Sequence, residues 1–143
     1  MRRLLAALAL ALGGCTYFHV NSDGLVIIGF VWDDGGGVVV IEAPDTVRAG
    51  VAFGAVVNTS GSSSCTTPVR TDVVVDGLVA RITPYDRVAE EGTDCTADVA
   101  PRPHPVEITF PKAGAGTLEV RARTRNASGT PVDTVVRRPI TIR

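Results

Sequence analysis

The sequence predicts an all-β protein, a sandwich of about seven strands over residues 38–143. Valine and threonine dominate this region, and glycine or proline interrupts it roughly every 8 to 12 residues, a spacing typical of sandwiches. Apolar and polar residues alternate along several segments, which is the period of a strand with one buried face. No apolar pattern with the period of an amphipathic helix occurs after residue 15.

The first predicted strand is "VVVIEAP", which Pro44 ends. The second is "GVAFGAVVN", in which alternate apolar residues share one face. The members of that face are Val51, Phe53, Ala55 and Val57. The polar segment that follows, "TSGSSSCTTP", predicts a loop that carries Cys65 and three flexible serines, Ser62, Ser63 and Ser64.

A hairpin is predicted at Asp76-Gly77, because this dipeptide lies between two β-rich runs in "VRTDVVVDGLVARITPYD". The next segment, "RVAEEGTDCTADVAPRPHP", predicts a long loop that contains several acids and ends in a proline-rich stretch. His104 stands between two of those prolines, so we expect it to be a solvated loop residue.

Three alternating segments complete the chain. "VEITFP" directs Val106, Ile108 and Phe110 inward. In "GTLEVRARTRN" one face consists of Leu118, Val120, Ala122 and Thr124, and the opposite face carries Arg121, Arg123 and Arg125. "VDTVVRRPITIR" predicts the last strand, in which Pro139 indicates that its backbone nitrogen faces a sheet edge or a bulge.

Two phrases, "EAPDTVRAGVAFGAVVNTSG" and "VEITFPKAGAGTLEVRARTRN", resemble the immunoglobulin-like β-sandwiches of bacterial surface and envelope proteins. The resemblance implies an immunoglobulin-like, antiparallel sandwich for residues 38–143. The cysteines depart from the antibody pattern, since Cys65 and Cys95 fall in predicted loops, and Trp32 precedes the domain. The resemblance is therefore one of architecture, and architecture alone does not give function.

The N-terminus has the form of a secretory signal. Arg2 and Arg3 precede the apolar run Leu4–Leu12, which would rise only about 14 Å as a helix against a hydrocarbon core of about 30 Å. The closing tetrapeptide "LGGC" resembles the lipobox of bacterial lipoproteins. The resemblance implies that Cys15 receives a diacylglycerol, that a signal peptidase removes residues 1–14, and that the acyl chains hold the mature protein in the membrane.

Residues 15–37 are predicted to be the lipidated N-terminus and a tether. Within them, Leu25–Trp32 is a continuous apolar run of strand length, too short to span a bilayer. Two alternatives stay open: the run pairs, for instance as a hairpin with "VVVIEA", or it forms a stalk near the lipid surface. Pairing or burial is favoured, because an exposed run of this kind promotes aggregation. Thr16 stands where an aspartate commonly signals inner-membrane retention, which favours the outer membrane.

The net charge argues against nucleic-acid binding, and the cysteines predict a disulfide. Removal of residues 1–14 leaves 12 basic and 15 acidic residues, a formal charge of −3, which is not the basic surplus of a nucleic-acid-binding protein. With Cys15 assigned to lipid, Cys65 and Cys95 form an even pair in an oxidising envelope, which predicts one disulfide. Free thiols or a metal site are the alternatives, but His19 and His104 show no ligand spacing, so no metal site is predicted.

No GxSxG, P-loop, HExxH or GxGxxG motif occurs in the sequence, so neither an enzyme nor a cofactor is predicted. The sequence predicts a non-catalytic, lipid-anchored protein of the cell envelope whose domain binds a protein or a glycan. The arginine row at 121, 123 and 125 is a candidate binding face for an anionic partner, with a solubilising outer face as its alternative. The alternative function is a structural spacer or assembly subunit. A third is a calcium or ligand carrier that uses the acids Asp86, Glu90, Glu91, Asp94 and Asp98.

Overall fold

The computed structural model describes residues 24–32 and 39–143, and the predicted signal peptide and Cys15 lie outside them. The described residues form nine strands and no helix. The strands are β1 (Leu25–Ile28), β2 (Ile41–Glu42), β3 (Thr46–Val47), β4 (Phe53–Gly61), β5 (Thr66–Asp76), β6 (Val79–Val88), β7 (Ala100–Ile108), β8 (Gly114–Arg125) and β9 (Pro131–Ile142). They form two sheets around one core, so the predicted all-β sandwich is confirmed.

One sheet has six strands and the other has three. In the larger sheet the order is β5, β6, β8, β9 and β3, with β1 beside the second half of β6, and the smaller sheet has the order β2, β4 and β7. The pairs β6–β8 and β3–β9 are parallel, and the other named pairs are antiparallel. β6 and β8 run parallel because between them the chain returns along β7 in the other sheet.

The core lies between the sheets and is formed by the inward face of each alternating strand. The buried apolar side chains are Val31, Ile41, Val47, Ala55, Val57, Ala80, Ile82, Ile108, Phe110, Leu118, Val120, Ala122, Ile140 and Ile142. Phe53 packs against this set, and its ring stacks on that of Phe110 with the centroids 5.9 Å apart. Val51 lies before β4 and is exposed, so it does not join the face on which the alternation placed it.

β5 and β6 form the predicted hairpin. The register pairs Asp76 with Val79, so Gly77 and Leu78 make a two-residue turn. Gly77 has a φ of 60°, in the left-handed region that glycine adopts without a steric penalty. This local signal was therefore sufficient to place one connection of the larger sheet.

The run Leu25–Trp32 belongs to the larger sheet. β1 pairs with β6, and it occupies the space where β6 no longer pairs with β8, because the β6–β8 ladder covers only residues 79–82 of β6. After β1, Phe30 bridges Arg123 of β8, and its carbonyl accepts a hydrogen bond from the Ser60 N–H of β4. Of the two alternatives for this run, pairing is therefore confirmed, with β6 and not "VVVIEA" as its partner. The sandwich begins ahead of the boundary expected at residue 38.

The proline-rich segment forms β7 and not the predicted loop. Pro101, Pro103 and Pro105 alternate along this edge strand and are exposed. Their nitrogens face away from β4, so the missing N–H groups remove no bond from the ladder. The residues between them point inward, and His104, which was expected to be solvated, is 2% exposed. Both predictions were wrong because the proline content was taken to indicate a loop, whereas prolines at a period of two are compatible with an edge strand.

Candidate functional site

We call the end of the sandwich where β4, β6 and β8 finish and β5 begins the disulfide end. Cys65 and Cys95 are bonded there with their Cα atoms 5.6 Å apart, which confirms the predicted pair. Cys65 directly precedes β5, and Cys95 lies between β6 and β7, so the bond fastens the loop 89–99 to the sandwich. In the chain-entropy model, closing a loop of this length stabilises the fold by about 3–4 kcal/mol.

Three serines join the same two loops by hydrogen bonds. The Ser62 and Ser63 hydroxyls lie 2.9 and 3.0 Å from Oγ1 of Thr96, and the Thr96 N–H donates to the Ser64 hydroxyl at 2.9 Å. The Thr96 hydroxyl donates to Asp98, and the Ser63 N–H donates to the same carboxylate at 3.1 Å. These bonds lower the pKa of Asp98 to about 2. The serines, predicted to be flexible loop residues, are therefore part of a hydrogen-bonded junction.

An apolar cleft of about 530 Å³ opens at the disulfide end. It is formed by the ends of β4, β6 and β8, by the segment after β1 and by the loops that the disulfide joins. The lining residues are Phe30, Val31, Trp32, Ser60, Gly61, Ser62, Cys65, Thr66, Val88, Ala89, Cys95, Val99, Thr124, Arg125 and Asn126. Its volume lies within the range of about 300–1,000 Å³ that is common for ligand pockets.

Two large apolar side chains of the cleft remain accessible, since Trp32 is 44% and Val99 is 56% exposed. Exposed apolar groups around a concave surface are typical of binding sites. Ser60 also lines the cleft, and its buried hydroxyl has no hydrogen-bond partner in the part of the chain that the structure describes. The cleft therefore offers a mainly apolar surface.

The cleft was missed by sequence reasoning because Trp32 was placed before the domain. The usable signal was the apolar run that contains it. The Phe30 carbonyl accepts from Ser60 of the smaller sheet, and the Val31 N–H donates to Arg123 of the larger one. Because the Val31 side chain is buried in the core, the next residue, Trp32, emerges at the surface of the sandwich beside them. The apolar run that ends at Trp32 is therefore the feature of the sequence from which the position of this side chain could have been predicted.

The predicted arginine row lies on the outer face of the larger sheet. Arg121 is exposed, whereas the guanidinium carbons of Arg123 and Arg125 lie 5.4 and 5.3 Å from the ring centroid of Phe30. These distances are within the reach of cation–π attraction. Two of the three arginines are therefore engaged with an aromatic ring, and of the three only Arg125 lines the cleft.

Acidic side chains stand among these arginines. Nε of Arg137 donates to Glu119 at 2.8 Å, and this bond, together with the charges of Arg137 and Arg81, lowers the pKa of Glu119. Asp133 lies 4.0 Å from Arg123. The outer face is thus one of mixed charge, as the alternative reading of the arginine row expected.

A buried polar pair joins the two sheets away from the cleft. Nε2 of His104 lies 3.0 Å from Oδ1 of Asp86, and both residues are 2% exposed. The Thr71 hydroxyl lies 2.9 Å from Nδ1 of the same ring. Nε2 of His104 also lies 3.4 Å from the Thr59 hydroxyl. Because both side chains are buried, a substrate cannot reach them. Their hydrogen bonds instead connect β5, β6 and β7.

The acids that were considered as calcium ligands are therefore separated. Asp86 faces His104 in the interior, and Asp98 is bonded to Thr96 and Ser63. Within residues 24–32 and 39–143, no three His, Cys, Asp or Glu side chains are grouped closely enough to hold a metal ion.

Comparison of the chain with family models, with curated proteins and with solved structures gives no match. None of the described segments forms a helix with the length and hydrophobicity that crossing a membrane requires. The candidate site is therefore defined by its geometry, an apolar cleft at the end of a sandwich whose loops are fastened by a disulfide.

Proposed function

We propose that this chain is a non-catalytic, lipid-anchored protein of the bacterial cell envelope that binds a protein partner in the cleft at the disulfide end. The observation that carries the proposal is the cleft itself, about 530 Å³ in volume with Trp32 and Val99 accessible. Its walls come from strand ends and from loops joined by the disulfide. Such walls are preorganised, so binding loses little loop entropy.

The lining favours an apolar side chain of a protein over a sugar. A glycan presents many hydroxyl groups that need donors and acceptors, whereas much of the lining consists of apolar side chains such as Phe30, Val31 and Val88. A partner loop that inserts one aromatic or aliphatic side chain gains about 25 cal/mol per Å² of apolar surface buried.

The lipobox supports an anchor at Cys15, and the fold gives the anchor a geometric consequence. The chain from Cys15 to Gly24 spans at most about 30 Å when fully extended. Leu25 pairs with Val88, a lining residue, so the chain enters the sandwich at the disulfide end. Anchoring would thus present the cleft close to the membrane, and Thr16 favours the outer membrane as its location.

Intact mass of the non-reduced mature protein tests the anchor. We expect a chain that begins at Cys15, carries acyl groups and lacks the two hydrogens of the Cys65–Cys95 bond. An unmodified chain that begins at Met1 would refute the lipoprotein assignment and leave the cleft proposal standing on its own.

Site-specific photo-crosslinking in the intact envelope tests the cleft. A photoreactive residue at Val99 should give one discrete adduct with another protein, and Trp32→Ala should abolish it. Val74 on β5 is the matched control, because it is 59% exposed and does not line the cleft. Equal adducts from both positions, or none from Val99, would contradict partner binding and favour the spacer function.

A further inference from the structure

The outer edge of β9 carries unpaired backbone groups between two prolines. Even-numbered residues of β9 bond to β8, and the odd-numbered ones face outward, since the Thr141 N–H donates to the Asp45 carbonyl. β3 pairs with this edge only at residues 141–142. The residues upstream that direct an N–H outward are Asp133, Val135 and Arg137.

These three N–H groups have no backbone acceptor within residues 24–32 and 39–143. Pro131 and Pro139 are also odd-numbered and face outward, but they have no N–H to donate. The part of the edge that can pair is therefore limited to the residues between these two prolines. The three side chains are exposed, with Val135 at 40%. An unpaired edge of this kind is a template for another strand.

We propose that this edge pairs with the same edge of a second copy of the chain, antiparallel about a two-fold axis at Val135. The pairing places Asp133 of each copy opposite Arg137 of the other, and Val135 opposite its own counterpart. Each outward N–H then meets a carbonyl of the second copy. Within its own chain Arg137 bonds to Glu119 through Nε alone, and its side chain stays 62% exposed, while that of Asp133 is 91% exposed, so both can also meet a second copy. Opposite charges at directly facing positions stabilise a strand pair, and a two-fold contact needs such a self-complementary surface.

Other registers lose the charge match. A shift of two residues places Val135 opposite Asp133 or Arg137 of the second copy, and it brings Pro131 or Pro139 into the pairing. A parallel pairing would set each charge beside its own counterpart, which is unfavourable. The antiparallel register centred on Val135 therefore pairs each of the three residues with one that has its own N–H, and it matches the charges.

The contact closes on itself, because each copy uses the one edge and a third copy cannot add there. A strand pair of this length buries less than the roughly 1,200–2,000 Å² of a stable complex, so the dimer is weak in solution. Confinement of both copies to one membrane raises their effective concentration, a step that rests on the proposed anchor. The pairing itself requires neither the anchor nor the cleft.

Cysteine crosslinking of the full chain in its native envelope tests the pairing. In the proposed register the two copies of residue 135 form a hydrogen-bonded pair with Cα atoms about 5.5 Å apart, a separation that a disulfide spans. We expect Val135→Cys to give a covalent homodimer under mild oxidation, about tenfold above the matched exposed control Val74→Cys. The control also measures any crosslinking through Cys15, so failure of the anchor and failure of the dimer are distinguishable.

A charge exchange in the Val135→Cys background tests the register. Asp133→Arg or Arg137→Asp alone should lower the dimer yield several-fold, and the two together should restore it, with thermal melting of each variant as the folding control. Three outcomes would overturn the proposal: a yield no higher than that of Val74→Cys, a crosslink to a different protein, or a double exchange that stays as low as the single ones.

Discussion

Replacement of His104 by leucine should destabilise the sandwich strongly, because it leaves the Asp86 carboxylate buried without a partner. Both residues are 2% exposed, and the bond of 3.0 Å from Nε2 of His104 is made to Oδ1 of Asp86. Oδ2 already has no partner among the described residues. Breaking a buried pair by removing one member costs about 3–5 kcal/mol, a large part of the roughly 5–15 kcal/mol that stabilises a domain.

Urea unfolding with the disulfide intact, followed by the fluorescence of Trp32, the chain's one tryptophan, measures the loss. The matched control is the double variant Asp86→Leu/His104→Leu, which removes the charge together with its partner. We expect the double variant to be more stable than His104→Leu alone, since an apolar replacement of a whole buried pair is often close to neutral.

Two results would refute this account of the pair. One is a loss below about 1 kcal/mol for His104→Leu, which would mean that the carboxylate reaches water or is held neutral in the variant. The other is a double variant that is less stable than His104→Leu, which would mean that Asp86 stabilises the fold through contacts that do not involve the imidazole.

Three further changes test other parts of the molecule. Gly29→Ala should cost about 1–3 kcal/mol in urea unfolding, because a Cβ there would overlap the Thr59 side chain, whereas Gly54→Ala, which meets no atom within 4 Å, is the control and should cost less. Replacement of both disulfide cysteines by alanine should lower the unfolding free energy by about 3–4 kcal/mol and make the loop 89–99 sensitive to proteases. The folded pKa of Asp98 is lowered from 3.8 to about 2, so its stabilising contribution is present above about pH 4 and is lost as the pH falls towards 2. Asp98→Asn should remove that part of the acid dependence of the melting temperature.

Local signals in the sequence predicted those parts of the fold that depend on neighbouring residues. The alternation in "GTLEVRARTRN" placed Leu118, Val120 and Ala122 in the core, where the structure has them. Asp76-Gly77 marked the β5–β6 turn, because the turn geometry itself requires a residue with positive φ. The cysteine count gave the disulfide once Cys15 was set aside for lipid. Each of these follows from a property of a few consecutive residues or of the composition.

The misassigned segment around His104 shows where such signals fail. Prolines at 101, 103 and 105 dominate its composition. Because they occupy alternate positions, all three nitrogens, which carry no hydrogen, lie on the outer edge of β7. The competing signal was the period of two formed by His104, Val106 and Ile108, which all point inward. A histidine in that series needs a buried acceptor, and Asp86 lies on a strand of the other sheet. Only the packing of the two sheets brings that acceptor into place, so no local pattern indicates it.

The segment Gly24–Trp32 explains why the cleft escaped sequence analysis and why its residues are apolar. β1 pairs with β6, and the Phe30 carbonyl accepts a hydrogen bond from Ser60 of β4. The Gly29 carbonyl and the Val31 N–H bond to Arg123 of β8, and the Val31 side chain enters the core. Consecutive residues of this segment therefore hydrogen-bond to three strands that are distant in sequence. A chain that began at residue 38 would lack this part of the core, and it would also lack Trp32 in the cleft. The cleft therefore has its complete lining only with this segment in place. Its apolar character follows from the sandwich that it completes and does not require contact with the membrane.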